Sequence, residues 1–206
     1  MAVYFIMNLL EEKIKSIDIK LASKSPRRHQ LLRNIIKDFE IVSKDIDESY
    51  PKSLKASEIA LYLANLKAKS HEKEAKENQL YITADTIVVY QQKVLGKPKN
   101  EEDAFNMLQE LSGNTHRVYT GVSLLFNGEI NSFVDATEVT FYDLSEDEIK
   151  FYIGHNRPTD KAGSYGIQEW MGYVGVKKIE GDFFNVMGLP LHRLYREIEK
   201  IISKKN

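Results

Sequence analysis

The sequence predicts an α/β fold, and three observations lead to this prediction. Segments rich in β-branched and aromatic residues alternate along the chain with segments whose apolar residues recur at helical spacing. An Asn127-Gly128 pair separates two long strand-like segments, as in a type I′ hairpin. No internal repeat, low-complexity linker or change of composition divides the 206 residues, which favours a single domain over residues 19–202.

The first 18 residues predict a helical extension to this domain. Five apolar residues fall on one helical face: Ile6, Leu9, Leu10, Ile14 and Ile17. The apolar run lacks a basic start and leads directly into Glu11 and Glu12, so we interpret it as a packing helix and not as a signal peptide. Because no segment approaches the length of a membrane span, we expect a cytoplasmic protein without a membrane partner.

Four elements are predicted next: a strand over 17–22, a helix from Ser25 through Ile36, a strand over 39–43 and a helix over 57–76. Ser25 is the expected N-cap of the first helix. Pro26 suits the first helical position, because proline lacks the N–H that would stay unpaired there. In the second helix Lys67 lies close to the narrow apolar face.

The strongest strand signal runs from Leu80 to Tyr90, and Asp85 interrupts it. Burying an unpaired carboxylate is costly. Either a bulge turns Asp85 outward, or Asp85 faces a cation, a metal or a reacting group. The chain then returns through 94–98, and a regular hairpin would bring Gly96 and Lys97 level with Asp85.

The second half of the chain predicts five further elements. They are a helix from the N-cap Asn100 to Leu111, hairpin strands over 118–126 and 129–141, a helix over 145–154 with a capping box, a strand over 173–179 and a helix over 190–202. Between them, residues 160–168 are rich in glycine and in opposite charges. We interpret this stretch as a loop shaped for close backbone approach to a ligand.

Composition excludes several classes of function. The formal net charge of -1 argues against general nucleic-acid binding, so we expect no nucleic-acid partner and a discrete anionic ligand instead. The absence of cysteine excludes disulfides, thiolate zinc sites and a cysteine nucleophile. The sequence also lacks a Walker A loop, a dinucleotide glycine fingerprint, an HExxH motif and a nucleophile-elbow serine.

Charged residues concentrate at two turns. Lys24, Arg27 and Arg28 lie at a predicted helix N-terminus, which favours an anion site, although a capped surface helix with solvated cations is the simpler alternative. Residues 44–49 carry three carboxylates that could bind a divalent cation or form a solvated acidic loop. Together with Lys67, Lys97 and Asp85, these residues are the combination that phosphate chemistry requires.

Five motifs then follow one another in the chain: 21–28 (LASKSPRR), 84–88 (ADTIV) with 96–98 (GKP), 111–113 (LSG), 160–168 (DKAGSYGIQ), and 180–181 (EG) with 186–190 (VMGLP). In this order and spacing they resemble the Maf family of nucleoside triphosphate pyrophosphatases. The resemblance spans about residues 19–198. It implies the fold of the inosine-triphosphate pyrophosphatases, in which an elongated mixed sheet flanked by helices forms two lobes around a central cleft.

The resemblance also implies hydrolysis of a nucleoside triphosphate to the monophosphate and pyrophosphate with a divalent metal, Mg²⁺ or alternatively Mn²⁺. By matching position, Asp85 is implied as catalytic base or metal ligand, Glu48 as a metal ligand, and Lys67 and Lys97 as catalytic cations holding the triphosphate. Six residues are implied to bind substrate: Ser23, Ser25, Arg27, Arg28, Thr86 and Gln168. Of these, Arg27, Thr86 and Gln168 match positions associated with base choice in the subgroup acting on dTTP and UTP. Relatives are commonly dimers, so the resemblance also implies a homodimer.

Two stretches depart from the family pattern. Residues 169–172 (EWMG) replace a glycine-rich segment, and we expect Trp170 to lie beside the base pocket and change its edge. Residues 1–15 extend beyond the usual family start. Two alternatives stay open: a nucleotide-binding regulator of cell division, since the family is linked to septum formation, and a broader pyrophosphatase that removes non-standard nucleotides.

Overall fold

The computed structural model describes residues 9–203, and these contain a seven-stranded mixed sheet. The strands are β1 (Asp18–Ala22), β2 (Glu40–Val42), β3 (Gln79–Tyr90), β4 (Lys93–Leu95), β5 (Thr115–Phe126), β6 (Glu129–Phe141) and β7 (Val176–Glu180). Their order is β2-β1-β3-β5-β6-β7, and β4 pairs with β3. β1 runs parallel to β2 and β3, and the other pairs are antiparallel.

Helices cover both faces of this sheet. They are α1 (Leu9–Lys13), α2 (Pro26–Arg33), α3 (Ala56–Lys69), α4 (Glu101–Leu111), α5 (Glu146–Asn156), α6 (Trp170–Gly175), α7 (Phe183–Met187) and α8 (Leu191–Ser203). Side chains alternate along β3 as in any strand. Tyr81 and Ile87 pack with residues of α3, whereas Ile82 and Val88 pack with helices on the opposite face.

Two separate hydrophobic clusters cover the face of the sheet opposite α3. One joins residues of α1, α2 and α8 around Ile82 and Leu124. The other joins residues of α4, α5 and α6 around Val118 and Phe141. These clusters form two lobes, and a cleft of about 600 Å³ lies between them. The predicted fold class is therefore confirmed.

Several predicted bounds differ from the observed ones. The helix over 57–76 ends at Lys69, where the Ser70 hydroxyl donates to the Lys67 carbonyl at 2.7 Å. The strand over 173–179 begins only at Val176, because residues 170–175 form α6. Gly172 permits this turn of helix: a Cβ there would lie 1.8 Å from the carbonyl oxygen of Ile167. Helix α7 was not predicted.

The predicted N-terminal helix is only partly observed. Leu10 and Ile14 are buried as expected, but Leu9 is 69% exposed because it points away from the core. Ile6 lies outside the described residues. The boundary of the extension at residue 18 stays a prediction. Within residues 9–203, no helix is long and apolar enough to cross a membrane.

Candidate active site

The cleft opens at a gap in the sheet beside β3. On that side β1 pairs with β3 only as far as Leu21 opposite Ile82, and β4 pairs only from Leu95 opposite Val88. Over the same residues the opposite edge of β3 stays paired with β5. Side chains from both faces of β3 therefore reach one cleft, and its lining includes both Asp85 and Thr86.

Asp85 faces α3 and pairs with a lysine. Its Oδ1 accepts a hydrogen bond from Lys67 Nζ at 2.5 Å, and Glu48 Oε1 lies 3.0 Å from the same nitrogen. The strand has no bulge here, because Asp85 pairs in register with Gly121 of β5. A Cβ on Gly121 would lie 2.3 Å from the Ala60 carbonyl oxygen, so glycine permits the close approach of α3. Of the two outcomes predicted for Asp85, the structure shows the one in which it faces a cation.

Asp85 and Glu48 fit a divalent cation. Both carboxylates contact the Lys67 ammonium, which shows that a positive charge is already favourable between them. Mg²⁺ is commonly held by one or two protein carboxylates together with substrate phosphates and waters. In the part of the chain that the structure describes, no group of three His, Asp or Glu residues could hold a metal, so phosphate and water oxygens would complete the shell.

The three carboxylates of residues 44–49 do not converge on one point. Asp45 pairs with Lys24 at 2.5 Å, and Asp47 accepts hydrogen bonds from the backbone and side chain of Ser49. Glu48 alone of the three pairs with Lys67. The alternative that this loop binds a cation by itself is therefore wrong.

The β1–α2 turn carries the basic side of the cleft. Arg28 Nε donates to the Gly188 carbonyl at 2.7 Å, and Arg28 Nη2 donates to Thr86 Oγ1 at 2.9 Å. These two bonds fix the guanidinium and leave its other N–H groups for an anion. Burial lowers the pKa of Arg28, while the Asp85 carboxylate opposes this change and favours the charged form.

Ser23 and Ser25 line the same turn. Ser25 holds the N-cap position of α2 with an extended backbone, and Pro26 follows at the first helical position, as predicted. The Ser25 side chain makes no capping hydrogen bond, which leaves its hydroxyl available to a ligand. Ser23 is buried, and its Oγ accepts from the Ser25 backbone N–H at 3.2 Å.

Arg27 reaches across the cleft to the glycine-rich loop. Its Nη1 lies 2.8 Å from Asp160 Oδ2. The buried Lys161 bridges Asp160 at 2.9 Å and Glu169 at 3.1 Å. Burial alone would raise the pKa of Asp160, but hydrogen bonds from Lys161 and Arg27 outweigh it and lower that pKa. The loop is thus fixed by alternating charges.

A buried tyrosine anchors the same loop from below. Tyr152 of α5 donates to Glu169 Oε2 at 2.5 Å and accepts from the Gly166 backbone N–H at 2.9 Å. Burial, together with the Glu169 carboxylate, raises the pKa of Tyr152, so its phenol stays protonated. Gln168 lines the cleft beside this anchor, and its buried Oε1 has no protein partner. A ligand donor could satisfy that oxygen.

Sequence comparisons agree with this arrangement. A family model described as Maf-like protein matches residues 18–201. This chain belongs to the Maf-like family. The dTTP/UTP pyrophosphatase of Flavobacterium johnsoniae is 50% identical over 194 residues, which cover 94% of this chain and 100% of that relative. The dTTP/UTP pyrophosphatase of Phocaeicola vulgatus is 51% identical and covers 92% of this chain and 99% of its own.

A solved structure supports the fold of this Maf-like protein. The structure of the Staphylococcus aureus Ham1 protein matches with a TM-score of 0.53, over 89% of this chain and 98% of that chain. Its sequence identity is 14%, so the match concerns the fold alone.

The cleft of this Maf-like protein is lined by all the residues predicted for the site: Ser23, Ser25, Arg27, Arg28, Glu48, Lys67, Asp85, Thr86, Lys97 and Gln168. Lys97 follows β4 and is exposed. Trp170 does not lie beside the pocket as expected. It packs against Phe151 of α5 with ring centroids 5.0 Å apart, because α6 turns its ring toward the second lobe.

Sequence reasoning missed the residues that hold this site in place. The Gly188 carbonyl follows α7, and Tyr152 lies on α5. Residues 186–190 were identified only as one of the family motifs, and within them Gly188 adopts a positive φ of 106°. Nothing in the local sequence of Tyr152 indicated its contact with Glu169.

Proposed function

We propose that this Maf-like protein hydrolyses dTTP and UTP to the nucleoside monophosphate and pyrophosphate. Two relatives at about half identity carry the name dTTP/UTP pyrophosphatase. The observation that carries the proposal is the convergence of Asp85, Lys67 and Arg28 at one gap in the sheet. A carboxylate beside several cations suits phosphoryl chemistry, in which positioning and charge neutralisation supply most of the catalysis.

The proposed reaction is attack of water on the α-phosphorus. A bond forms between the water oxygen and the α-phosphorus, and the bond from the α-phosphorus to the bridging oxygen breaks, so that pyrophosphate leaves with the electron pair. Asp85 either accepts the proton of this water or holds the metal. Lys67, Lys97 and Arg28 neutralise the phosphate oxygens. A bound divalent cation, held by Asp85 and Glu48, would neutralise further phosphate charge and lower the pKa of water.

The base is proposed to lie toward Arg27, Thr86 and Gln168. The unpartnered Gln168 Oε1 supports this, because an amide can pair with the compact donor and acceptor edge of a pyrimidine. A cytoplasmic site of action is part of the proposal, since free nucleoside triphosphates are the substrates. Formation of a homodimer stays a proposal that size-exclusion chromatography with light scattering tests.

The test is a nucleotide panel with Mg²⁺, in which pyrophosphate and orthophosphate release are followed separately. We expect pyrophosphate from dTTP and UTP, little from purine nucleotides, and loss of activity with a chelator. In ¹⁸O-water the label should enter the monophosphate and not pyrophosphate. Pyrophosphate release from purine nucleotides as well would indicate the broader pyrophosphatase. Orthophosphate release, or nucleotide binding without turnover, would contradict the proposal, and the second result would favour the regulator of cell division.

A further inference from the structure

A chain of hydrogen bonds runs from the cleft into the core behind Arg28. Arg28 Nη2 donates to Thr86 Oγ1 at 2.9 Å, the hydroxyl oxygens of Thr86 and Thr120 are 3.0 Å apart, and Thr120 Oγ1 donates to the Asn185 carbonyl at 2.9 Å. Thr120 and Asn185 are each 0% exposed, whereas Thr86 lines the cleft. Thr120 and Asn185 were not among the predicted site residues.

The two ends of this chain fix the direction of every bond in it. A carbonyl can only accept, so the Thr120 hydroxyl gives its single hydrogen to Asn185. A guanidinium can only donate, so Thr86 accepts from Arg28. The contact between the two hydroxyls then has one solution, in which Thr86 donates to Thr120. The hydrogens of both threonine hydroxyls are therefore fixed in direction.

The inner end of the chain is held rigidly. The Asn185 side-chain amide donates to the Val118 carbonyl at 3.0 Å and to Thr137 Oγ1 at 2.9 Å. The N-cap of α7, Asp182, accepts from the Phe184 backbone N–H at 2.8 Å. Because these bonds fix α7 on β5 and β6, the Asn185 carbonyl cannot turn away from Thr120 without leaving buried polar groups unpaired.

We propose that Thr120 is a positioning residue that makes Thr86 a hydrogen-bond acceptor toward the cleft. With its hydrogen committed to Thr120, Thr86 keeps one lone pair and has nothing to donate. The point beside Arg28 then selects a ligand group that carries an N–H or O–H and disfavours one that presents a lone pair. The identity of that group rests on the proposed function: the N3–H of uracil or thymine is such a donor, whereas N3 of cytosine is an acceptor.

The test compares kcat/KM for UTP with kcat/KM for CTP in Thr120→Val. This substitution keeps the shape of the side chain and frees the Thr86 hydroxyl to donate. We expect the UTP-to-CTP ratio to fall about tenfold, the size of one hydrogen bond. Thr120→Ser keeps the hydroxyl and should therefore keep the ratio of the parent protein. The matched control is Thr83→Val. Thr83 is a fully buried threonine of β3, as Thr120 is of β5, and its hydroxyl donates to the Ala64 carbonyl on the α3 face at 2.8 Å. It should leave the ratio unchanged.

Two kinetic results would overturn the inference: an unchanged ratio in folded Thr120→Val, or an equal loss for both nucleotides. A neutron structure of the perdeuterated protein decides the same point without turnover. It should place the Thr86 deuteron toward Thr120, and a Thr86 deuteron pointing into the cleft would contradict the inference. If the parent protein hydrolyses neither UTP nor dTTP, the proposed function fails, and the neutron result still decides the polarity of Thr86.

Discussion

Adjacent residues of β3 reach the cleft in two different environments. Asp85 faces α3 and pairs with Lys67, which also contacts the exposed Glu48. Thr86 faces the opposite side and bonds Arg28 and the buried Thr120. One strand supplies both because its side chains alternate and because its edge is open between β1 and β4. A gap in a sheet thus allows a charged catalytic side chain and a recognition side chain held by buried hydrogen bonds to reach one cleft from neighbouring residues.

The two environments also differ in how easily a ligand can change them. Ion pairs near the surface contribute only about 0–1 kcal/mol, so phosphate and metal can replace the Lys67–Glu48 contact at small cost. Breaking a buried hydrogen bond costs about 1–3 kcal/mol, so the Thr86–Thr120 side keeps its geometry. The α3 side is therefore exchangeable and the opposite side is preorganised.

The largest effect is expected from Asp85→Asn. The amide cannot accept a proton and binds a divalent cation poorly, so kcat should fall about 10²- to 10⁴-fold while nucleotide KM changes little. Pyrophosphate release under saturating UTP measures this. Asp38→Asn, an exposed aspartate, is the control and should keep full activity. Full activity of Asp85→Asn would show that Asp85 is neither the catalytic base nor an essential metal ligand.

Arg28→Lys should have the next largest effect. A lysine cannot bond Gly188 and Thr86 together and still present a fork to phosphate, so kcat/KM should fall about 10²-fold, mostly through KM. Steady-state kinetics with UTP measure the change. Arg33→Lys, an exposed position at the end of α2, should leave kcat/KM unchanged. An unchanged kcat/KM in Arg28→Lys would show that a positive charge at this position suffices and that the guanidinium fork is not needed.

Tyr152→Phe tests the loop that carries Gln168, where the base is proposed to bind. Loss of the hydroxyl leaves the Gly166 N–H unpaired and removes a donor to Glu169, so the free energy of unfolding should fall by about 1–3 kcal/mol. Discrimination between UTP and purine nucleotides should weaken while kcat stays within about twofold, because the α3 side is untouched. Urea unfolding and the nucleotide panel measure both effects. Tyr62→Phe, on the partly exposed face of α3, is the control for both.

The smallest effect on catalysis, but a clear one on stability, is expected from His116. Burial lowers its pKa to about 4, and its Nε2 bonds the Tyr165 hydroxyl at 2.7 Å. The folded state keeps this ring neutral while the unfolded chain takes up a proton below pH 6.5. Stability is therefore complete above pH 6.5 and falls by about 3 kcal/mol as the pH drops to about 4.

Urea unfolding at pH 7 and pH 4.5 tests this dependence. In His116→Gln the loss of stability between these pH values should be smaller by about 2 kcal/mol, whereas the exposed His192→Gln should behave as the parent protein does. Identical pH dependence in all three proteins would show that His116 does not stay neutral in the fold.

The sequence predicted the elements whose signals are local. The N-cap Asn100, the capping box of Ser145 with Glu148 and the Asn127-Gly128 turn all occur as expected, since each depends on neighbouring residues. Asp85 could be singled out because a carboxylate contradicts its strand. The prediction that a strand begins at residue 173 was wrong, because residues 170–175 form α6. The backbone of Gly172 in α6 lies close to Ile167, and local alternation of apolar residues does not report that contact.

The supports of the site could not be predicted in the same way. Arg28, Thr86, Thr120 and Asn185 are joined by hydrogen bonds across 157 positions of the chain, and each residue alone is typical of a surface or a strand. Trp170 was misplaced for the same reason: its ring packs on Phe151, and only the tertiary fold determines that contact. Local sequence indicates which residues bear the chemistry, whereas long-range packing decides what holds them.

Binding of UTP and CTP to Asp85→Asn, measured by calorimetry, tests most directly whether the two faces of β3 act separately. The variant should bind UTP in preference to CTP, because the Thr86 side is unchanged. Its preference should match the preference for UMP over CMP that competitive inhibition of the parent enzyme shows. Turnover should be lost at the same time. A loss of base preference together with turnover would contradict the account, because Asp85 would then serve recognition as well as chemistry.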